Sequence, residues 1–457
     1  MTDVKTNQGM NRRTFLRSTA AAGAGLMFSP LAKGQTAVAA KPDQINVALL
    51  GAGAQGQVLL DACLNMGENS GLCFKAVCDI WESWNLKRVS GQLSRQKELG
   101  HVGTPYTNYQ EMLDKEKDLD ALIVATPDFW HAEHAIAGMK AGLHVYCEKE
   151  MSNTLENARK MVETAKATGK LLQIGHQRRS NPRYIFCYEK LIQEAKILGR
   201  ITTINGQWNR SRAACEDLAW AKNAELDEAT LNTYGFESMK QFRNWRWYKG
   251  LGGGPIVDLG SHQIDIYSWF LNAQPRSVMA SGGVDYWTDH QWYDNVIALY
   301  EYQTQEGVVR ASYQTLTTNS SNGYFETFMG DQGTLMTSEE GSRNAVYREG
   351  YVPEELWNPW ENKRYIKKEN GIAQAEPSKS VLDVRSSPKP PKYNLLVDMD
   401  QPFHQPHLQN FFDSIRGKAK LNCPGEIGYE TAVAVLKVNE AVEAARRLDF
   451  KPEDFLV

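Results

Sequence analysis

The run Ile45-Asn46-Val47-Ala48-Leu49-Leu50, followed at once by Gly51-Ala52-Gly53-Ala54-Gln55-Gly56, constrains this chain more than any other stretch. Six residues with a single polar member read as a strand buried on both faces, as in parallel sheets. A helix is expected to follow over Gln57–Asn65. Glycines at Gly51, Gly53 and Gly56 permit a tight turn and let backbone N–H groups at a helix N-terminus approach a pyrophosphate, with Ala54 and Gln55 in the same turn. A second strand, Phe74–Cys78, ends in Asp79, 23 residues after Gly56. An acid there can accept both hydrogen bonds of an adenosine ribose and repels a 2′-phosphate. NAD is therefore the expected cofactor. Lys87 and Arg88 on the next helix keep NADP as the alternative.

Strand and helix patterns go on alternating. Ala121–Ala125 is a strand, His131–Ala141 a helix, Val145–Cys147 a strand, Leu155–Thr168 a helix and Leu171–Gly175 a strand. Such alternation predicts a doubly wound parallel sheet with right-handed crossovers and a ligand at the carboxyl ends of the strands. Thr126-Pro127, Glu148-Lys149 and Gly175-His176-Gln177 fall at those ends. His131 and His134, three apart on one helix, are expected to cap and pack, because no third metal ligand lies nearby.

A second constellation lies at Gly252-Gly253-Gly254-Pro255 and the helix that Pro255 opens. Ile256, Gly260, Ile264, Tyr267 and Leu271 fall on one stripe, and Asp258, His262, Asp265 and Trp269 on the opposite one. A carboxylate one turn before a histidine can orient the imidazole and stabilise its protonated form, as a general base requires. Asp265 on the same stripe is a further candidate to touch substrate, and a solvated polar face is the plain alternative. Just upstream, Phe242-Arg243-Asn244-Trp245-Arg246-Trp247-Tyr248 closes an insertion over 209–247. Trp245, Trp247 and Tyr248 offer faces on which sugar C–H groups stack, and the arginines can bond hydroxyls or an acid.

Composition excludes some classes. A net charge of −3 gives no pull towards nucleic acid or anionic membrane. The seven scattered cysteines show neither a disulfide framework nor zinc spacing, and no metal is expected. The N-terminus, Asn11-Arg12-Arg13-Thr14-Phe15-Leu16, has a twin arginine, then a weakly apolar run and small residues at Ala37-Val38-Ala39. This is the shape of a twin-arginine signal over 1–39, read by the twin-arginine translocon. It predicts a mature chain beginning near Ala40 in the periplasm or outside the cell. The apolar run is too short for a membrane anchor.

Taken together, the glycine turn, Thr126-Pro127 with His131, Glu148-Lys149 and the Asp258/His262 pair resemble the Gfo/Idh/MocA family, which includes glucose–fructose oxidoreductase and inositol dehydrogenase. The resemblance runs in order through nearly all of the mature chain. It implies a Rossmann domain over 40–173. It also implies an α+β domain over 174–457 with a large, open, mostly antiparallel sheet that joins a homo-oligomer, dimer or tetramer. Alternating runs at 277–281, 295–302, 308–315 and 325–329 suit that sheet. Carried over by motif, Lys149 is the catalytic lysine and Asp258 and His262 the family's Asp-x-x-x-His, whereas Glu150 stands where the family usually has proline. Arg178, Arg179 and Arg183 lie in a segment the family uses near nicotinamide and substrate. Residues 340–400 read as a long surface loop, and His404-Gln405-Pro406-His407 as a helix start, with substrate contact as its second reading.

The expected activity is oxidation of a sugar hydroxyl by NAD, with His262 as base oriented by Asp258 and Lys149 bonded to the same oxygen. Export implies a tightly held cofactor that is reoxidised in place. Two alternatives follow. One is a redox-neutral NAD-dependent glycosidase, as in glycoside hydrolase family 109. The other is a secreted sugar-binding protein without turnover.

Overall fold

The computed structural model describes residues 44–369 and 390–457. The twin-arginine segment and the stretch 370–389 of the long loop lie outside the described residues.

The first sheet is built as the alternation predicts. Strands β1 (Ile45–Leu50), β2 (Leu72–Cys78), β3 (Thr104–Tyr106), β4 (Ala121–Val124), β5 (His144–Cys147) and β6 (Leu172–Ile174) form a six-stranded sheet in the order β3-β2-β1-β4-β5-β6. Every pairing is parallel. β1 and β4 are almost wholly buried because helices cover both faces. Helices α1 (Ala54–Leu64), α2 (Asp128–Lys140) and α3 (Leu155–Thr168) supply the crossovers. Each begins a little before or close to its expected start, since the last loop residues already hold helical geometry.

One face of this sheet is closed from far along the chain. Leu408, Phe411 and Phe412 of helix α4 (Gln405–Ile415) are fully buried with Val47, Leu49 and Phe74 in one apolar cluster. Gln173 Nε2 donates to His407 O at 2.7 Å, and His407 Nε2 lies 2.9 Å from Ile174 O. The dinucleotide-binding layer is therefore not contiguous in sequence, and the expected boundary at 173 falls within β6.

The second sheet has ten strands. These are β7 (Ile201–Asn209), β8 (Pro275–Gly283), β9 (Asn295–Thr304), β10 (Gly307–Leu316), β11 (Tyr324–Gly330), β12 (Gly333–Thr337), β13 (Ala345–Arg348), β14 (Ile366–Lys368), β15 (Lys392–Leu395) and β16 (Leu448–Asp449). Their order is β14-β15-β13-β12-β11-β7-β10-β9-β8-β16, antiparallel except for the parallel pair β7–β10. The expected loop over 340–400 is thus partly sheet, since β13, β14 and β15 extend one edge. Short strands of three or four residues carry too little alternation to be seen in sequence.

Helix α5 (Gly254–Leu271) and the last helix, α6 (Gly425–Ala444), pack on this sheet. The Tyr267 hydroxyl donates to Ser312 O of β10 at 2.9 Å, and Asn439 of α6 donates to Gly253 O at the same distance. Enclosure on both sides buries Ile264 and Tyr267 and also His262 and Asp265. On the polar stripe of α5, His262 and Asp265 are buried and Asp258 and Trp269 half-buried. All seven cysteines are buried and unpaired. No described helix is long and apolar enough to cross a membrane.

Candidate active site

The glycine turn has the geometry of a cradle. Gly51 has φ +94°, and a Cβ there would lie 2.6 Å from the Ala125 carbonyl. A Cβ on Gly56 would lie 1.9 Å from Gly51 O, so the helix closes on the turn only with glycine. At Gly53 the nearest atom would be 3.9 Å away, which leaves room over the N-terminus of α1. These residues fit a pyrophosphate. Gly51, Gly53, Ala54 and Gln55 line one cavity with Asp79, Thr126, Pro127 and His131. Gly56 contributes packing instead.

Asp79 holds the turn as well as facing the cavity. Its Oδ2 accepts from Ala52 N at 2.7 Å and from Asn85 Nδ2 at 3.3 Å, and its Oδ1 accepts from Trp81 N at 2.7 Å. Burial pushes its carboxyl up to about 6 despite these bonds. Part of the capacity expected for ribose hydroxyls is therefore already used by backbone. His131 bridges two loops, with Nε2 2.6 Å from Thr126 O and Nδ1 2.7 Å from Glu150 O. His134 stacks on Trp130 and meets Thr126 Oγ1 at 3.0 Å, so the histidine pair is packing.

A second cavity, of about 530 Å³, adjoins the first. Gln55, Glu148, Lys149, Arg243 and Arg246 line both. His262, Asp258, Trp247 and Gln177 belong to the second, so Gln177 faces the substrate side and not the cofactor cavity as expected. Lys149 Nζ donates to Asp258 O at 2.6 Å and to Asp258 Oδ1 at 3.1 Å. Arg246 Nε donates to the same Oδ1 at 3.2 Å. Burial opposes the charge on Asp258, but these two cations outweigh it and hold the carboxyl well below its usual range.

This corrects one expectation. Asp258 does not orient His262. The turn spacing puts the two on one side of α5, but the carboxylate is drawn to the stronger cationic partners. The His262 Nδ1 is buried without a partner, and its ring lies against Trp208 at 5.5 Å between centroids. Burial, followed by the fields of Lys149 and Arg178, pushes its imidazolium form well below the usual histidine range. These effects favour the uncharged imidazole.

Three expected substrate residues are structural instead. Arg178 is 1% exposed and ion-paired with Glu326 and, at 3.0 Å, with Glu339. Arg183 Nη1 donates to Ser338 O and Glu339 O. Asp265 takes a bidentate bond from Arg179 and one from Thr431 Oγ1 at 2.9 Å. A buried charge is retained only when paired, and here the partners are protein groups. Trp245 lines the cofactor cavity, and Tyr248 lines neither. Sequence reasoning missed Trp208, Arg210, Tyr324 and Glu339 of the second cavity. Trp208 near the end of β7 and Arg210 just after it, two apart in sequence, were the available signal. His404 does reach this cavity, with Nε2 3.1 Å from Gln55 Nε2. Glu150 is buried and pushed up to about 8 by burial, with Oε2 unpartnered, and its peptide bond to Lys149 is cis.

Residues 45–176 match the Gfo/Idh/MocA oxidoreductase family, NAD-binding Rossmann fold, and residues 189–336 match that family's C-terminal domain. A scyllo-inositol 2-dehydrogenase (NADP(+)) of Bacillus subtilis is 25% identical over 53% of this chain and 55% of its own length. A glycosyl hydrolase family 109 protein of Shewanella baltica is 28% identical over 35% of this chain and 38% of its own. The chain thus spans about half, or less, of the length of these relatives. The solved structure of a levoglucosan dehydrogenase with NADH and levoglucosan superposes with a TM-score of 0.64 at 16% identity, covering 90% of this chain and all of that one. That likeness concerns the fold.

Proposed function

Because the chain belongs to the Gfo/Idh/MocA oxidoreductase family, we propose that it oxidises a hydroxyl of a sugar or sugar derivative with a retained NAD. The observation that carries this reading is the meeting of the two cavities at Lys149. The glycine turn and Asp79 lie in one, His262 and Trp247 in the other, and Lys149 in both.

The residues divide the work. Lys149 has three N–H donors, of which Asp258 takes two and the third is left for a substrate oxygen. His262, which lines the second cavity, accepts the hydroxyl proton as the substrate carbinol is oxidised. A bound nicotinamide supplies the hydride acceptor. Asp258 and Arg246 fix Lys149 in place, and Trp208 and Trp247 offer apolar faces to the sugar ring. Asp79 and the family's inositol dehydrogenase point in different directions on NAD against NADP, and we favour NAD from the acid.

A second reading draws on Leu218, Phe236, Phe242 and Trp245 of the 210–253 segment, which cover the cofactor cavity. A retained cofactor suits a redox-neutral glycosidase, in which oxidation acidifies the neighbouring C–H, the glycosidic group leaves by elimination, water adds and the ketone is reduced again. A non-catalytic sugar-binding protein is the third reading. We also propose export by the twin-arginine route. We further propose a homo-oligomer joined through the outer face of the second sheet, where Met279, Ile297 and Leu299 are 46%, 55% and 38% exposed.

The test uses protein purified without added nucleotide and a panel of methyl and nitrophenyl glycosides in deuterated water. One oxidised sugar per enzyme with reduced nicotinamide supports the oxidoreductase. Many turnovers releasing aglycone, with deuterium beside the oxidised carbon, support the glycosidase. Sugar binding with neither product supports the binding protein.

A further inference from the structure

Residues 210–253, between β7 and α5, cross over the first domain as a strap. Trp81 Nε1 donates to Ala224 O at 2.5 Å, Trp130 Nε1 to Tyr234 O at 3.1 Å, and the Tyr234 hydroxyl to Thr107 O at 3.0 Å. Trp81, Ala224, Leu231, Phe236, Met239 and Trp245 form a separate apolar cluster, none more than 8% exposed. On its far side the strap is held to the loop before β9. Lys240 bridges Asp217 and Asp289 at 2.9 and 2.7 Å, and Trp247 stacks on His290 at 4.1 Å. His290 Nε2 also lies 3.1 Å from Asp217 Oδ1.

The strap roofs the cofactor cavity with Leu218, Phe236, Phe242 and Trp245, and it sets one cation there without an anion. Arg243 lines both cavities, as does Gln55 at the N-terminus of α1. The Arg243 Nε is buried with no hydrogen-bond partner. Among the described residues its guanidinium has no carboxylate within ion-pair distance, and its neighbour is the face of Trp81 at 5.1 Å. Partial burial lowers its hold on its proton.

We propose that Arg243 is the second jaw of a pyrophosphate clamp. The backbone N–H groups of the Gly51–Gly56 turn hold the dinucleotide's pyrophosphate on one side, and the Arg243 guanidinium holds it from the strap. Guanidinium forks pair with phosphate oxygens through two parallel bonds, and a water-poor setting strengthens each of them. The cofactor leaves only when the apolar cluster under the strap opens, so it behaves as a resident group. This inference rests on the NAD(P) reading above and adds the residue that enforces retention.

The experiment measures dissociation of NAD, ADP-ribose and adenosine from wild type, Arg243→Met and Arg243→Lys, with melting of the nucleotide-free proteins alongside. Arg243→Met is expected to speed release of NAD and ADP-ribose at least tenfold, to leave adenosine unchanged, and to melt no lower than wild type. Arg243→Lys, which keeps the charge without the fork, is expected to fall between. Unchanged release of NAD from folded Arg243→Met, or an equal change for adenosine, overturns the clamp. Wild-type protein that binds none of the three overturns the dinucleotide reading itself, and the clamp with it.

Discussion

Lys149 and Asp258 are joined twice, through the Asp258 carbonyl at 2.6 Å and its carboxylate at 3.1 Å, across an interval of 109 residues. One residue ends a strand of the first sheet and the other opens the buried helix of the second domain. The link fixes the aim of the lysine. It also makes Asp258 a positioning residue for Lys149, not for His262.

A double-mutant cycle separates those two roles. Lys149→Met and Asp258→Asn are expected to be strongly non-additive in kcat/KM, because each breaks the same pair. Asp258→Asn and His262→Ala are expected to add. The reverse pattern returns Asp258 to the histidine.

Lys149→Met itself is expected to lower kcat by roughly 10²–10³-fold, the usual cost of losing one donor aimed at developing charge. Nucleotide stays bound in this variant. Loss of nucleotide in gel filtration instead makes Lys149 a cofactor residue only.

The pH profile tests His262. Its folded pKa is depressed, so the neutral, proton-accepting form persists as pH falls through the ordinary histidine range. The acid limb of kcat/KM is therefore expected below pH ~6.5, the unperturbed histidine value. A limb at or above that value means that His262 titrates freely and is not enclosed as described.

Arg178→Met leaves Glu326 and Glu339 without their buried cation. Breaking a buried pair from one side typically costs about 3–5 kcal/mol. Urea denaturation of the purified variant measures it directly. At a temperature where the variant is folded, KM is expected to stay close to wild type, because Arg178 touches no cavity. A large rise in KM restores it as a substrate residue.

Ile297 and Leu299 project from the same face of β9, with Met279 opposite Leu299 on β8. Ile297→Asp is expected to convert an oligomer to monomer in light scattering without loss of fold. An unchanged mass removes this face from the interface.

The first domain was readable because its strands are buried on both faces and its glycines mark one turn, so local pattern and tertiary role coincide. α5 was readable as a helix from Pro255 and its stripes. Its environment was not, since Asp265 looks the same in sequence whether it meets solvent, substrate or Arg179. The arginines of the 178–183 segment failed for the same reason. Their partners Glu326, Ser338 and Glu339 lie about 150 residues away, and no spacing rule reports such pairs. Trp208 and Arg210 were hidden because a cavity wall is made by the sheet as a whole. His404 stands just before α4, which returns to the first domain, and only packing reveals that return.

The parallel pair β7–β10 joins residues 107 positions apart, as Asn205 and Ser312 show. The strap, α5 and two further strands all lie inside the loop that this pair closes. Long-range parallel pairing is slow to form. During synthesis β7 emerges long before β10 and waits with both edges open, while the groups bearing Arg243, Asp258 and His262 remain tethered but unplaced. The candidate site is thus assembled from parts that one long-range closure brings together.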